Sequence, residues 1–178
     1  MEYGRLRMSI SAKWFDLSSM NDLIPCSTPH GQTRLVPRSR LIFRPSVYGL
    51  IVHQGKLLVT LSRTTGKWKL PGGGINLGES MEATLVREIF EECGIEVRLG
   101  MQVFFKEDFF CFDAPEAAWQ AHLFFFFAEP LSLEVTNSNN VTGDESDAPQ
   151  WVDIASLEPA SFQFAGDEIV AAVRRTHA

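Results

Sequence analysis

The chain has 178 residues, which is enough for one domain with a substantial core and short for two. Its composition, 45% hydrophobic and 21% charged, is that of an ordinary globular protein, and the longest apolar run, residues 123–128, is too short to cross a bilayer. A net charge of −6 disfavours a nucleic acid polymer as the main partner, but it does not exclude a small nucleotide, because a bound metal can reverse the local charge.

The three cysteines, Cys26, Cys93 and Cys111, are an odd number and lack the spacing of metal ligands. This pattern favours free thiols in a reducing compartment over a disulfide framework. The N-terminus also lacks the long apolar core of a signal peptide. We therefore expect a cytoplasmic protein with no membrane partner, in which Cys93 is a small buried side chain and not a nucleophile.

Residues 1–38 show no clear periodicity, and we treat them as an N-terminal extension of a domain that covers residues 39–178. Within the extension, Pro25 and residues 27–31 have the composition of a loop. The extension is either a tail or lead-in strand, or else a lid over a substrate or a contact in a homodimer. The sequence leaves both alternatives open.

The first clear strands follow the extension. Residues 47–52 are apolar and β-prone, residues 53–56 have the composition of a turn, and residues 57–61 are apolar again. This pattern predicts a hairpin with a four-residue connection. Because both runs are continuously apolar, we expect the two strands to be buried on both faces.

A glycine-rich turn leads directly into a predicted helix. Gly72, Gly73 and Gly74 follow a proline, and glycine allows the main chain to approach a ligand closely. The helix is predicted over residues 80–92, with Ser80 as its N-cap and Gly94 as the left-handed residue after its end. Its predicted apolar face consists of Leu85, Val86, Ile89, Phe90 and Cys93.

Three glutamates, Glu88, Glu91 and Glu92, share an arc of roughly 100° on this helix. Like charges so close together repel each other, and partial burial strengthens the repulsion. A divalent cation between the carboxylates would remove it. Mg²⁺ and Mn²⁺ prefer such oxygen ligands, so the cluster indicates a metal site.

The remainder of the chain alternates strands and polar segments. Strands are predicted over residues 97–99, 101–105 and 122–128, a loop over residues 136–149, and a last strand from Trp151. A closing amphipathic helix is predicted over residues 166–176. The phenylalanines of residues 124–127 are more typical of a core than of a base-binding stack. The element order suits an α/β fold.

The segment of residues 73–95 resembles the Nudix box, the signature of the Nudix hydrolases. All nine of its defining positions match: Gly73, Glu79, Arg87, Glu88, Ile89, Glu91, Glu92, Gly94 and Ile95. The resemblance implies an α/β/α sandwich with a mixed sheet. It also implies a pyrophosphohydrolase that cleaves a diphosphate linkage in a nucleoside diphosphate derivative, with a nucleotide-type small molecule as substrate.

The resemblance also implies roles for individual residues. Glu88 and Glu92 match the metal ligands of the family, Glu91 supports the same cluster and can take part in catalysis, and a backbone carbonyl at Gly72 helps to bind the metal. Glu79 and Arg87 are implied to pair and to hold the loop to the helix, and Gly73 and Gly94 support the same architecture.

Two further roles are less well defined, because relatives differ. The general base is either a glutamate of the box or one from a loop before the last strand. Glu145 is the candidate in that loop, with Asp144 and Asp147 as its acidic neighbours. Arg63 and Lys67, just before the glycine turn, are candidates for binding phosphates of the substrate, and surface positions explain them equally well.

Two other functions are compatible with such a fold. A non-catalytic Nudix domain would sense a nucleotide or mediate an interaction, although its box is usually degraded. Isoprenoid diphosphate isomerisation needs a cysteine and glutamate arrangement that we do not find. Markers of ADP-ribose, dinucleoside polyphosphate and coenzyme A hydrolases are also absent from the sequence. An unmodified or oxidised nucleoside triphosphate and a nucleotide sugar remain open as substrates.

Overall fold

The computed structural model describes residues 23–111, 118–136 and 146–176. Its strands are β1 (Leu23–Ser27), β2 (Thr33–Pro37), β3 (Leu41–His53), β4 (Lys56–Ser62), β5 (Trp68–Lys69), β6 (Gly72–Gly74), β7 (Val97–Cys111), β8 (Ala118–Pro130) and β9 (Ser146–Asp153). Its α-helices are α1 (Met81–Cys93) and α2 (Gly166–Arg175), and short 3₁₀ turns cover Arg38–Arg40, Ile154–Ser156 and Pro159–Ser161. The strands run in the order β2-β1-β7-β8-β3-β4-β5, while β6 pairs with β3 and β9 pairs with β4.

The sheet lies between the two helices because its central strands are buried on both faces. On β4, Leu57 and Val59 pack in the cluster that contains α2, whereas Leu58 packs in the cluster that contains α1. Alternate residues of a strand point to opposite faces, so a continuously apolar strand suits a sheet covered on both sides. The predicted two-sided burial and the mixed α/β/α sandwich are confirmed.

The predicted hairpin is formed by β3 and β4, but its connection is shorter than expected. Only Gln54 and Gly55 join the strands, with φ values of 44° and 75°. Two consecutive positive φ angles are the mark of the type I′ turn, whose twist matches that of a two-stranded ribbon. His53 and Lys56, which we assigned to the turn, pair with each other across the strands.

Helix α1 has the predicted caps. The Ser80 hydroxyl accepts a hydrogen bond of 3.1 Å from the N–H of Ala83, and Gly94 follows the helix with a φ of 71°. The predicted apolar face was wrong at two positions, since Val86 and Phe90 are 37% and 46% exposed. The helix contacts the sheet through one narrow stripe, which contains Leu85, Ile89 and Cys93.

Two boundaries predicted in the second half of the chain were also wrong. Residues 97–99 and 101–105 belong to one long strand, β7, whose register with β8 shifts between Leu99 and Phe104. Residues 146–149, predicted as loop, belong to β9, where Ser146 pairs with Ser62 of β4. Backbone pairing across the sheet outweighs local polarity there. The predicted loop residues 137–145 lie outside the described part of the chain.

The N-terminal hairpin β1–β2 joins the edge of the sheet. Ser27 pairs in parallel with Phe110 of β7, and Cys26 packs against Cys111 and Ala118. The loop predicted over residues 25–31 was therefore wrong at Pro25 and Ser27, which belong to β1. The boundary between an extension and a domain at residue 38 stays a prediction. In the described residues, neither helix has the length and apolar character needed to cross a membrane.

Candidate active site

A cavity of about 850 Å³ opens on the face of the sheet that carries α2. Helix α2 covers this face near Leu50 and Phe125, and the uncovered remainder forms the cavity floor. One end of the cavity is bounded by the glycine strand β6 and by Glu88 and Glu92 of α1. The turn between β1 and β2 borders the cavity as well. The Nudix-box segment therefore contributes directly to this cavity.

Strand β6 consists only of glycines, and the backbone around Gly72 leaves no room for a side chain. It pairs with β3, with Tyr48 opposite Gly72 and Val47 opposite Gly73. A Cβ atom on Gly72 would collide with the backbone of Val47, and Gly72 has a φ of 139°, which L side chains rarely adopt. A Cβ atom on Gly73 would lie 2.5 Å from the carboxylate carbon of Glu88. The glycines thus allow α1 to place its carboxylates directly against the sheet.

Two of the three helix glutamates face this cavity. Glu92 is 2% exposed, and its Oε2 accepts a hydrogen bond of 3.0 Å from the N–H of Gly72. Glu88 lies one helical turn earlier and also lines the cavity, with its carboxylate against Gly73. The arrangement places two carboxylates, both hard oxygen donors, next to main chain that carries no side chains.

Arg87 occupies the centre of the acidic group. Its Nε and Nη2 donate to the two carboxylate oxygens of Glu79 at 2.8 and 3.0 Å, which is the bidentate fork that Arg forms with a carboxylate. Its Nη1 donates to Glu88 at 2.8 Å and to Glu91 at 3.2 Å. The hydrogen bonds from Arg87 lower the pKa of Glu79 to about 2. In turn, the carboxylates of Glu79 and Glu88 raise the pKa of Arg87 above its ordinary value.

The third helix glutamate, Glu91, is placed differently from the other two. Glu91 is directed to Arg87 and is not among the residues that line the cavity. Within residues 23–111, 118–136 and 146–176, no three acidic, histidine or cysteine side chains are grouped closely enough to hold a metal ion. Glu88 and Glu92 are the pair that the fold brings to one cavity.

The cavity also has basic residues on its walls. Lys67, predicted from the sequence, and Lys69, which is two residues later, both line it. Arg44 lines it from β3, where its guanidinium carbon lies 5.5 Å from the centre of the Trp119 ring. Arg63 is exposed and does not line the cavity.

The candidates for the general base lie at the margin of the described chain. Glu145 and Asp144 fall outside the described residues, and only the backbone of Asp147 is described. That backbone pairs with Leu61, and Ser146 pairs with Ser62. The turn that follows Ser62 contributes Thr65 and Lys67 to the cavity. The chain therefore re-enters the sheet beside one wall of the cavity.

Several cavity residues were not found from the sequence. Lys69 had a local signal, since it lies only two residues after Lys67, which the sequence singled out. Arg44, Asp108 and Trp119 had none, since they are brought together only by the pairing of β3, β7 and β8. Such contacts between distant segments leave no mark on the local pattern of either segment.

Comparison with known proteins identifies the family. A model of the NUDIX domain matches residues 42–173. The chain belongs to the Nudix family. It is 42% identical over 55 residues to a MutT-like protein of Streptomyces ambofaciens, covering 30% of this chain and 36% of that protein. It is 34% identical over 80 residues to an RNA pyrophosphohydrolase of Roseobacter denitrificans, covering 43% and 50%.

Solved structures agree with the assigned fold. The MutT Nudix hydrolase of Burkholderia pseudomallei superimposes with a TM-score of 0.59 at 24% identity, covering 74% of this chain and 98% of that one. At this identity the likeness concerns the fold alone. The matches to the two curated relatives above span about a third and a half of the length of those proteins.

Proposed function

We propose that this Nudix protein hydrolyses a diphosphate linkage in a nucleoside diphosphate derivative, with Mg²⁺ or Mn²⁺ as cofactor. The observation that carries the proposal is that Glu88 and Glu92 both lie at one end of a cavity that is large enough for a nucleotide. Relatives named as pyrophosphohydrolases support the same reaction class.

The residues at this end of the cavity fit a hard divalent cation. Mg²⁺ is commonly held by one or two carboxylates together with substrate phosphates, and Glu88 and Glu92 supply two carboxylates. The carbonyl of Gly72 is a further oxygen donor in the proposal, and Glu91, which does not line the cavity, joins the set only if its carboxylate turns toward the cavity. A bound ion would neutralise phosphate charge and acidify the attacking water.

The basic residues provide for the remainder of the polyphosphate. A diphosphate group repels an incoming nucleophile, and positive side chains reduce this repulsion without taking part in proton transfer. Lys67, Lys69 and Arg44 line the cavity that contains the glutamates. We assign phosphate binding to these three residues and give no such role to Arg63.

Glu145 remains our candidate for the general base that removes a proton from water, with Glu91 as the alternative from the helix. The support for Glu145 is that Ser146 pairs with Ser62, directly before the turn that contributes Thr65 and Lys67 to the cavity. In the Glu145→Gln variant, kcat should fall and the limb of the pH–rate profile that rises with pH should disappear. An unchanged profile would shift the role to Glu91.

The test of the function is a panel of substrates incubated with the full chain. The panel contains nucleotide sugars, ADP-ribose, unmodified and oxidised nucleoside triphosphates, and a short RNA with a 5′-triphosphate. Each substrate is assayed with Mg²⁺, with Mn²⁺ and with a chelator, and the phosphorus-containing products are identified. Turnover that persists in the chelator would overturn the proposed mechanism. Binding without turnover of any substrate would favour a nucleotide sensor.

A matched pair of variants assigns the metal site. Glu92→Gln should lower metal-dependent turnover by more than about 100-fold, because displacement of catalytic groups by about 1 Å can already cost that much. Glu82→Gln is the control, since Glu82 is exposed on the same helix and does not line the cavity. Its turnover should match that of the unmodified protein. Binding of Mn²⁺, followed by its paramagnetic resonance, should be weakened by Glu92→Gln alone.

A cytoplasmic location and a homodimer are further proposals. Free, buried thiols at Cys26, Cys93 and Cys111 support a reducing compartment. Light scattering on the purified chain tests the dimer directly, and a mass equal to that of one chain would exclude it.

A further inference from the structure

The far end of the cavity floor is formed by three strands in register. Asp108 of β7 and Arg44 of β3 both pair with Ala121 of β8, and Phe110 pairs with Trp119. Partners opposite each other project from the same face of a sheet, as do residues two apart in a strand. Asp108, Phe110, Trp119 and Arg44 therefore share the face that forms the cavity, and all four line it.

Phe110 and Trp119 form an aromatic surface at this end. Their ring centres are 5.0 Å apart, and the rings are tilted by 45°. The guanidinium of Arg44 lies over Trp119, and its Nη2 would be 3.1 Å from a Cβ atom on Gly74. Arg44 thus connects the aromatic surface with the glycine strand. A ligand with phosphates near Glu88 can therefore place a flat, aromatic group on Trp119.

The turn between β1 and β2 borders this cavity and is held in a fixed shape. Thr28 and Gln32 are joined by two hydrogen bonds, from the N–H of Thr28 to the Gln32 carbonyl at 2.8 Å and from the N–H of Gln32 to the Thr28 hydroxyl at 3.1 Å. Residues 27–31 all line the cavity. They precede residue 42, where the match to the family model begins, so this wall is added by the chain's own N-terminal segment.

Asp108 gives this end a defined hydrogen-bonding character. Its Oδ1 accepts a hydrogen bond of 2.8 Å from the N–H of Phe109, which fixes the carboxylate beside the aromatic surface. An ionised carboxylate only accepts hydrogen bonds and has about four lone-pair positions, so it can accept from a ligand as well. The Asp108 carboxylate can therefore bind a base that presents N–H donors along one edge. It cannot hydrogen-bond a base edge that presents only acceptors.

We infer that this end of the cavity binds the nucleobase of the substrate and prefers guanine. Guanine is the common base with two adjacent N–H donors on its pairing edge, which two carboxylate oxygens can accept together. The base would pack against the aromatic surface of Trp119 and Phe110 beneath the β1–β2 turn. This inference rests on the proposed function, because it assumes that the phosphates of the same ligand lie toward Glu88 and Glu92.

Calorimetric binding of nucleoside monophosphates to the full chain, without metal, tests the inference separately from turnover. GMP should bind at least about 10-fold more tightly than AMP or UMP, since a paired polar contact to a base edge discriminates against bases that lack the matching donors. Asp108→Asn should remove most of this preference. Trp119→Phe should preserve it, because the platform remains aromatic. Equal affinities for the three ligands would overturn the inference.

Glu107→Gln is the matched control. Glu107 is the neighbouring carboxylate on β7, but it contacts Gln120 and His122 at 2.7 and 3.2 Å and does not line the cavity. This variant should retain the preference for GMP. If Glu107→Gln also lost the preference, the overall negative charge of β7 would be responsible rather than the Asp108 carboxylate. Turnover without base preference would refute the inference and leave the proposed function intact. Selective GMP binding without turnover of any substrate would support the inference and refute the proposed function.

Discussion

The guanidinium of Arg87 offsets part of the negative charge of carboxylates that the sequence alone suggested would need a metal ion. It lies 2.8–3.2 Å from Glu79, Glu88 and Glu91, so one positive charge already stands among these carboxylates. Charge crowding alone is therefore not decisive for a cation in this helix. The better evidence is positional, because Glu88 and Glu92 are directed to a cavity beside main chain that carries no side chains.

Gly73→Ala tests the importance of this close contact. The backbone of Gly73 is compatible with alanine, but the added methyl group would displace the carboxylate of Glu88. We expect a folded protein whose metal-dependent kcat/KM falls by about 10- to 100-fold, as for substitutions that misplace a metal ligand. The measurement is kcat/KM over a range of Mn²⁺ concentrations.

The same substitution in a Glu88→Gln background supplies the control. If Gly73 acts through Glu88, the two losses should not add, because residues in contact share one effect. A further full loss in the double variant would mean that Gly73 acts on something else.

The pairing of Glu79 with Arg87 predicts a pH-dependent contribution to stability. Arg87 lowers the pKa of Glu79 from an ordinary value of 4.5 to about 2. A group with a lowered pKa in the folded state stabilises the fold above its unfolded pKa, and this contribution is lost as the pH falls through the folded value. The stability difference between the unmodified protein and Glu79→Gln should thus be constant above pH 4.5 and shrink toward pH 2. Urea unfolding across this range measures it, and a difference independent of pH would assign the effect to shape rather than charge.

At the scale of elements, helix α1 was predictable because its signals are local. Ser80 and Gly94 mark its ends, and both lie within the same short segment as the periodic pattern. The stripe that is buried was only partly predictable, because Val86 and Phe90 have the periodicity of a core face while the sheet contacts only Leu85, Ile89 and Cys93. How wide a face is covered depends on the partner surface, which the helix sequence does not contain.

The N-cap of α1 gives a prediction at this scale. Ser80→Ala removes the acceptor for the N–H of Ala83 and should cost about 1 kcal/mol of unfolding free energy. For a chain of this size, that corresponds to a fall in Tm of about 2–4 °C. Ser80→Asp is the control and should retain the stability, since Asp caps equally well. An unchanged Tm in the alanine variant would show that the cap contributes little.

At the scale of the whole molecule, the family followed from one segment, and so did the proposed reaction class, whereas the residues at the far end of the cavity did not. Nine box residues lie within residues 73–95, so their spacing is visible in the sequence. Arg44, Asp108 and Trp119 come from three strands and meet only through long-range pairing. The loop-like composition of residues 25–31 likewise concealed a strand that is stabilised by its contact with β7.

The N-terminal hairpin predicts that a chain of residues 39–178 is less stable than the full protein. Cys26 is fully buried, and Ile24 and Val36 pack beside it against Cys111 and Ala118. Loss of a few partly buried apolar side chains costs about 2–3 kcal/mol, or roughly 5–10 °C in Tm. Calorimetric unfolding of the two chains measures the difference. Equal Tm values would support residue 39 as the start of an independent domain.

The β1–β2 turn forms part of the cavity wall but is separate in sequence from the glutamates at the other end of the cavity. The turn borders the cavity but belongs to a segment that precedes both the glycine strand and the box. Exchange of this short piece for a different one would therefore change one wall of the cavity while leaving Glu88, Glu92 and the glycine strand in place. Such a chimera would separate the choice of ligand from the proposed metal site.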